Sequence, residues 1–296
     1  MRHTRMAGSV GPLTLVKLDA LMERTSGRPE VKIGVIDGPV LTRHPDLIGA
    51  RLREIRGTNG DGCTRADSMA CVHGTFVTGI LAAKRNSPAP AICPDCTVLI
   101  RPIFADSTCG SEHMPSATPR ELAAAIIECL DAGACVINLS LALEERSTSE
   151  NAALQAALAQ AVRRRVIVVA AAGNQGTLGS STITRHPWVI PVVACDDRGR
   201  PIPESNLGRS IGRRGLTAPG KAITSLGPDG PLTLGGTSVA VPFVTGAIAL
   251  LLSAFPSVTP AEIRLAIAGV STVRRASVVP PLLDAAAAHR AFSTRI

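Results

Sequence analysis

Five short, nearly continuous apolar runs set the strongest limit on what this chain can fold into. They are VKIGVID (31–37), CTVLIRPIF (96–104), ACVINLSLA (134–142), VIVVAAAG (166–173) and WVIPVVAC (188–195). A strand that is apolar at every position, rather than every second one, has both faces covered, as in a parallel sheet between two helical layers. Helix-period stretches separate the runs: GTFVTGILAAK (74–84), PRELAAAIIECLDAG (119–133) and SENAALQAALAQAVRRR (149–165). Further helices are expected near 239–253 and 260–269. Pro119 and Gly133 punctuate the second of these stretches as a helix start and stop. The alternation predicts an α/β fold, a doubly wound parallel sheet flanked by helices, in a single domain. An N-terminal extension (1–30), with a short helix packed on the outside within 12–25, leads into the main domain over 31–270. A peripheral C-terminal segment (271–296) follows, and 105–118 and 196–215 read as Gly/Ser/Pro-rich loops.

Composition narrows the functional classes. The chain has 296 residues, 45% hydrophobic but only 2% aromatic and without tyrosine, so aliphatic side chains must fill the core. Its net charge of +8 comes mainly from scattered arginines with no aromatics among them, which argues against nucleic-acid binding. A basic solvated surface accounts for that charge, and an acidic peptide substrate would also suit it. The most apolar stretch, 238–252, is interrupted by Pro242, Thr245 and Gly246, so no membrane span is expected. The N-terminal residues lack a continuous apolar core of the signal-peptide kind, which points to a cytoplasmic protein. No cofactor or metal is expected, since no acidic cluster accompanies Asp46 to suggest calcium.

Seven of the eight cysteines divide by context. Cys129, Cys135 and Cys195 lie in apolar runs and read as inert core residues. Cys63, Cys71, Cys93 and Cys96 lie in polar sequence, where two short disulfides or free thiols fit better than zinc. A reducing compartment leans against permanent bridges. Cys71 is two residues from His73, so Cys63 and Cys71 are expected near that histidine.

Three residues stand out for chemistry. Asp37 ends the first strand, His73 lies at a helix start in CVHGTF, and Ser238 opens the apolar helix of LGGTSVAVPFVTGAIALLL. Each alone has an ordinary structural reading: turn residue, core histidine, helix cap. Together they supply what acyl transfer by serine needs, a base for the hydroxyl proton and a carboxylate to orient that base. The chain order Asp, His, Ser and the absence of a second glycine in Gly236-Thr237-Ser238-Val239-Ala240 exclude the α/β-hydrolase arrangement.

On these residues the sequence resembles the subtilisin-family (subtilase) serine proteases. VIDGPVLTRHPDL resembles the family's aspartate motif, HGTFVTGIL its histidine motif, GGTSVAVPFVTG its serine motif and VVAAAGNQG the segment carrying the oxyanion asparagine. The likeness runs from about residue 12 to 270. It implies that Asp37 orients His73, that His73 is general base and acid, and that Ser238 attacks. Asn174 and the Ser238 backbone N–H would form the oxyanion hole. It implies further that Ser140, Leu141, Ala142, Ala172, Gly173 and Gly236 line the substrate strand, and that the His186–Pro187 peptide bond is cis. Ala142 stands where the family usually has glycine, which would crowd the groove.

Only 36 residues precede Asp37, too few for an inhibitory prodomain, which is the expectation for an intracellular enzyme. LTLVKLDALMERTSGRPEVKIGVIDGPVLTRHPDL and AICPDCTVLIRPIFAD resemble cyanobactin-type peptide-maturation proteases and their related macrocyclases. This resemblance implies cleavage of a ribosomally made precursor peptide. The absence of a long helical insertion after His73 favours hydrolysis over cyclisation, because cyclisation requires water to be kept from the acyl-enzyme. A catalytically silent, peptide-binding subtilase is the alternative of a different class.

Overall fold

The computed structural model describes residues 10–55, 62–104, 117–141, 148–269 and 276–293. Its centre is a seven-stranded parallel sheet built from β1 (Lys32–Asp37), β2 (Arg51–Glu54), β3 (Thr97–Pro102), β4 (Val136–Leu139), β5 (Ile167–Ala171), β6 (Val189–Cys195) and β7 (Leu216–Pro219). The spatial order β2-β3-β1-β4-β5-β6-β7 reverses direction at β1. In such sheets the crevice beyond the carboxyl ends at the reversal is where ligands bind. An antiparallel hairpin, β8 (Ile223–Gly227) and β9 (Gly230–Leu234), lies apart from this sheet.

Alternation along each strand divides the core into two layers. Ile33, Val35, Ile167, Val169 and Ala171 face one layer, whereas Ile36, Ile137, Leu139, Val168 and Ala170 face the other. The first layer holds α1 (Pro12–Leu15), α2 (Asp19–Met22), α3 (Met69–Ala82), α8 (Thr237–Ala254), α9 (Pro260–Ile267) and α10 (Ala285–Ser293). The second holds α4 (Pro119–Asp131) and α5 (Thr148–Arg163). Two short helices, α6 (Thr182–Arg185) and α7 (Arg209–Arg214), flank β6. Helix α8 is long and apolar enough to cross a membrane, but 83% of it is buried inside the fold. A helix that is apolar all round is a core helix when protein surrounds it on every side.

Local chemistry explains the helix ends. Thr118 and Thr259 each close a capping box, with Glu121 and Glu262, ahead of Pro119 and Pro260. The segment 12–25 departs from expectation. It forms two single turns broken at Lys17, whose φ is 55°, and Val16, Leu18 and Leu21 are buried in the main core rather than packed outside it. The C-terminal segment, read as peripheral, also joins that core. Ala285, Ala288 and Phe292 are buried, and Leu283 N–H donates to the Thr217 carbonyl beside β7. The loop expected over 196–215 contains α7, and 105–116 lie outside the described residues. The His186–Pro187 bond is trans. His186 sits just past α6 with φ −65° and ψ 129°, the extended conformation that a following trans proline favours.

Candidate active site

Asp37, His73 and Ser238 arrive from three different elements. Asp37 is the last residue of β1 and is fully buried; its Oδ1 accepts from the Gly38 N–H at 2.6 Å. Helix α3 begins at Met69, earlier than the pattern predicted, with Ser68 Oγ capping the Cys71 N–H at 3.2 Å. His73 is therefore in the second turn rather than at the helix mouth. Beside Asp37 the helix approaches the end of β1 backbone to backbone. A Cβ on Gly38 would lie 1.9 Å from the Ala70 carbonyl oxygen, and one on Gly74 would lie 2.4 Å from the Gly38 carbonyl oxygen. Glycine at both positions lets the strand end and helix touch, which brings His73 Nδ1 to 2.7 Å from Asp37 Oδ1.

On its other side His73 Nε2 is 3.0 Å from Ser238 Oγ. Burial disfavours the imidazolium of His73, but the charge of Asp37 and its hydrogen bond outweigh this and raise the histidine pKa above 6.5. Nδ1–H donating to Asp37 leaves Nε2 as the acceptor for the serine hydroxyl, the arrangement in which Ser238 can lose a proton. Asp37 Oδ2 is buried and has no hydrogen-bond partner among the described residues.

Ser238 is the second residue of α8, whose N-cap is Gly236 at φ 125°. The first turn of a helix has unpaired N–H groups and a partial positive charge. The Thr237 N–H donates to Asn174 Oδ1 at 2.8 Å and the Thr237 hydroxyl donates to the same oxygen at 2.9 Å. Both donors require Oδ1 at that end of the amide, so the Nδ2 group faces away from Thr237. The Gly173 N–H donates to Thr237 Oγ1 at 3.2 Å, tying the segment after β5 to the helix start.

Behind the serine a buried polar line runs through the sheet. Thr245 Oγ1 donates to Asn138 Oδ1 at 2.9 Å, Asn138 Nδ2 to Ser140 Oγ at 2.7 Å, and Ser140 Oγ to the Ser238 carbonyl at 2.9 Å. Pro242 explains the last bond. In an uninterrupted helix the Ser238 carbonyl would accept from the residue-242 N–H, which proline lacks. The Ser140 hydroxyl takes that place, so its side chain is committed to the helix rather than open to a groove.

Of the remaining expected site residues, Leu141, Ala172, Gly173 and Gly236 are buried around the same strand ends, and Ala142 lies outside the described residues. Asn138, Thr237, Thr245 and the Gly38–Gly74 contact were not singled out from sequence. Asn138 had a readable signal, a lone amide inside an apolar strand, since a buried amide must find partners.

Cys63 and Cys71 form a disulfide, with Cα atoms 5.6 Å apart, that fastens the segment before α3 to its first turn. Cys93 and Cys96 lie in the connection between α3 and β3, as expected, but both are reduced and buried rather than exposed. A hydrogen bond to Cys96 and burial hold the Cys93 thiol well above its ordinary range, while the same bond lowers that of Cys96. Cys129 and Cys195 are buried, with burial pushing both thiols up to about 12, whereas Cys135 is partly exposed. Among the described residues no three His, Cys, Asp or Glu side chains gather as a metal site.

A doubly wound parallel sheet carrying aspartate, histidine and serine in a hydrogen-bonded row defines the class of serine endopeptidases built on an α/β fold. Residues 28–278 match the Subtilase family (Peptidase S8), and the chain belongs to that family. It is 30% identical to subtilisin DY of Bacillus licheniformis, over 88% of this chain and 90% of that protein. It is 31% identical to subtilisin E of Bacillus subtilis, of whose length it spans 63%. Among solved structures it is similar to the protease domain of PatA (30% identity, TM-score 0.79, 91% of this chain and 98% of that one). The prenylagaramide maturation protease PagA is similar to the same degree (29% identity, TM-score 0.78, 92% and 98%). The PatG macrocyclase in complex with peptide shares the fold (21% identity, TM-score 0.79, 96% and 98%).

Proposed function

We propose that this chain cleaves a leader-containing, ribosomally made precursor peptide by serine catalysis, with Ser238 as nucleophile, His73 as general base and acid, and Asp37 as its orienting carboxylate. The observation that carries the reading is the unbroken hydrogen-bonded row from the Gly38 N–H through Asp37 and His73 to the Ser238 hydroxyl. In this reading His73 Nε2 takes the hydroxyl proton as Oγ attacks the scissile carbonyl and later returns it to the leaving amine. The Asn174 Nδ2 group and the Ser238 N–H, at the positive end of α8, stabilise the oxyanion that develops. The substrate backbone lies between Ser140–Leu141 and Ala172–Gly173, beside Gly236.

The precursor-peptide substrate rests on the likeness to PatA and PagA, the latter a maturation protease by name. Hydrolysis is preferred to cyclisation because residues 83–96 carry α3 directly to β3 without an inserted helix that could cover the acyl-enzyme. A cytoplasmic location is part of the proposal, and the Cys63–Cys71 disulfide is the feature that weighs against it. Mass spectrometry of a peptide library that includes leader–core precursors, incubated with the protein and with Ser238→Ala, tests the reading. New linear fragments made only by the parent chain support it, and new cyclic products would favour cyclisation. If neither forms and a fluorophosphonate leaves Ser238 unlabelled, the chain is a silent peptide binder.

A further inference from the structure

We infer that Asn206 is a positioning residue for the oxyanion hole, acting by holding the loop that carries Asn174 on a rigid strand-anchored bracket. The inference rests on the catalytic reading above. The loop from Gly173 to Gly179 follows β5 with residues 174–179 exposed, and its backbone hydrogen bonds run outward to residues 204–207. One side is tied to α8 through Thr237. The other is tied to residues 204–207, and Asn206 is at the centre of that second attachment.

Its Oδ1 accepts from the Gln175 N–H, the Thr177 N–H and the Thr177 hydroxyl, each at 3.1 Å. Its Nδ2 donates to Gln175 Oε1 at 2.6 Å, and its backbone N–H donates to the Gly173 carbonyl at 2.9 Å. These bonds fall on both sides of Asn174, so the asparagine backbone is held at residues 173, 175 and 177. A Cβ on Gly173 would come 2.3 Å from Asn206 Nδ2, so the loop and the bracket are in direct contact.

The bracket is itself fixed. Ser205 Oγ accepts from the Ala194 N–H at 3.1 Å and donates to the Ala194 carbonyl at 3.3 Å, while the Ile202 N–H donates to the same carbonyl at 2.9 Å. Asn206 thus transmits the position of β6 to a loop that has little regular structure of its own. An oxyanion donor works only when fixed before charge develops, so loosening this loop raises the barrier without weakening ground-state binding.

The test is Asn206→Ala, alone and combined with Asn174→Ala. Asn206→Ala should lower kcat about tenfold with KM within twofold, since small misplacements at a reacting centre carry costs of this order. Affinity for a peptide aldehyde should fall by the same factor. In the Asn174→Ala background the substitution should change kcat less than twofold. An equal loss of kcat in both backgrounds, or a change confined to KM, would overturn the inference. Amide hydrogen exchange gives a readout that needs no catalysis. Exchange at Gln175 and Thr177 should accelerate in Asn206→Ala while β6 amides stay protected. Unchanged exchange there would sink the bracket even if the chain is a good peptidase. Accelerated exchange in a chain that cleaves nothing would uphold the bracket and reject the catalytic reading alone.

Discussion

Replacing Ser140 by alanine should destabilise the fold and misplace the serine helix, and replacing Pro242 should repair much of the damage. The Ser140 hydroxyl gives its proton to the Ser238 carbonyl and accepts from Asn138 Nδ2, which is fully buried. Alanine leaves both groups unpaired, at a cost of about 1–3 kcal/mol each, with the smaller values for the partly buried carbonyl. The sum is roughly 2–4 kcal/mol. An unfolding entropy of about 2.1 cal/mol/K per residue turns 3 kcal/mol into a Tm decrease of about 5 °C for a chain of this size. Pro242→Ala adds back an N–H four residues beyond Ser238, where an ordinary helical bond to the same carbonyl can form. In the Ser140→Ala background it should recover about 1–2 kcal/mol more than it does in the parent chain. Unfolding is measured in a Ser238→Ala background, which keeps the carbonyl and prevents self-digestion. Additive effects, with coupling below about 0.5 kcal/mol, would refute the idea that Ser140 substitutes for the missing proline N–H.

Other expectations follow from the same geometry. In the proposed mechanism the free base of His73 is the active form, so kcat/KM should rise with pH through an apparent pKa above 6.5. The protonated histidine gains from Asp37 in the folded state, so its contribution to stability is complete below the unfolded pKa and is lost as pH rises through the folded one. Asp37→Asn removes both raising causes and leaves burial; the apparent pKa should fall below 6.5 and kcat drop about 10⁴-fold, and an unmoved acid limb would refute the assignment. Gly38→Ala should separate α3 from the end of β1, costing about 1–3 kcal/mol and most of the activity, as read by Tm and burst labelling with a fluorophosphonate. Reducing Cys63–Cys71 releases a loop with a sequence separation of 8, which loop entropy values at about 2–3 kcal/mol; a Tm unchanged by dithiothreitol would show that the bridge contributes little.

The nearly continuous apolar runs reported their own burial, so β1, β3, β4, β5 and β6 and their intervening helices were legible with small shifts at the ends. β2 was not, because Arg51–Glu54 is a charged edge strand. The β8–β9 hairpin carried a signal that went unused, the turn residues of Gly227-Pro228-Asp229-Gly230. The candidate triad was legible as residue types in a telling order, and Asn174, the proposed oxyanion asparagine, as part of a motif. Sequence alone could say that an aspartate and a serine stood at a strand end and a helix start and that a histidine lay on a helix, which the structure starts four residues before His73.

Only the tertiary structure decided that they meet, through a glycine-to-glycine contact between β1 and α3 and through a helix whose proline leaves a carbonyl for Ser140. It also decided that Asn138 pairs with Thr245, 107 positions away, and that Asn206 pairs with Gln175 and Thr177, 31 and 29 positions away. Periodicity is a property of neighbouring residues and survives in one dimension. A hydrogen bond between distant segments depends on how whole elements pack, and the sequence records it only as an unexplained polar residue in an apolar place.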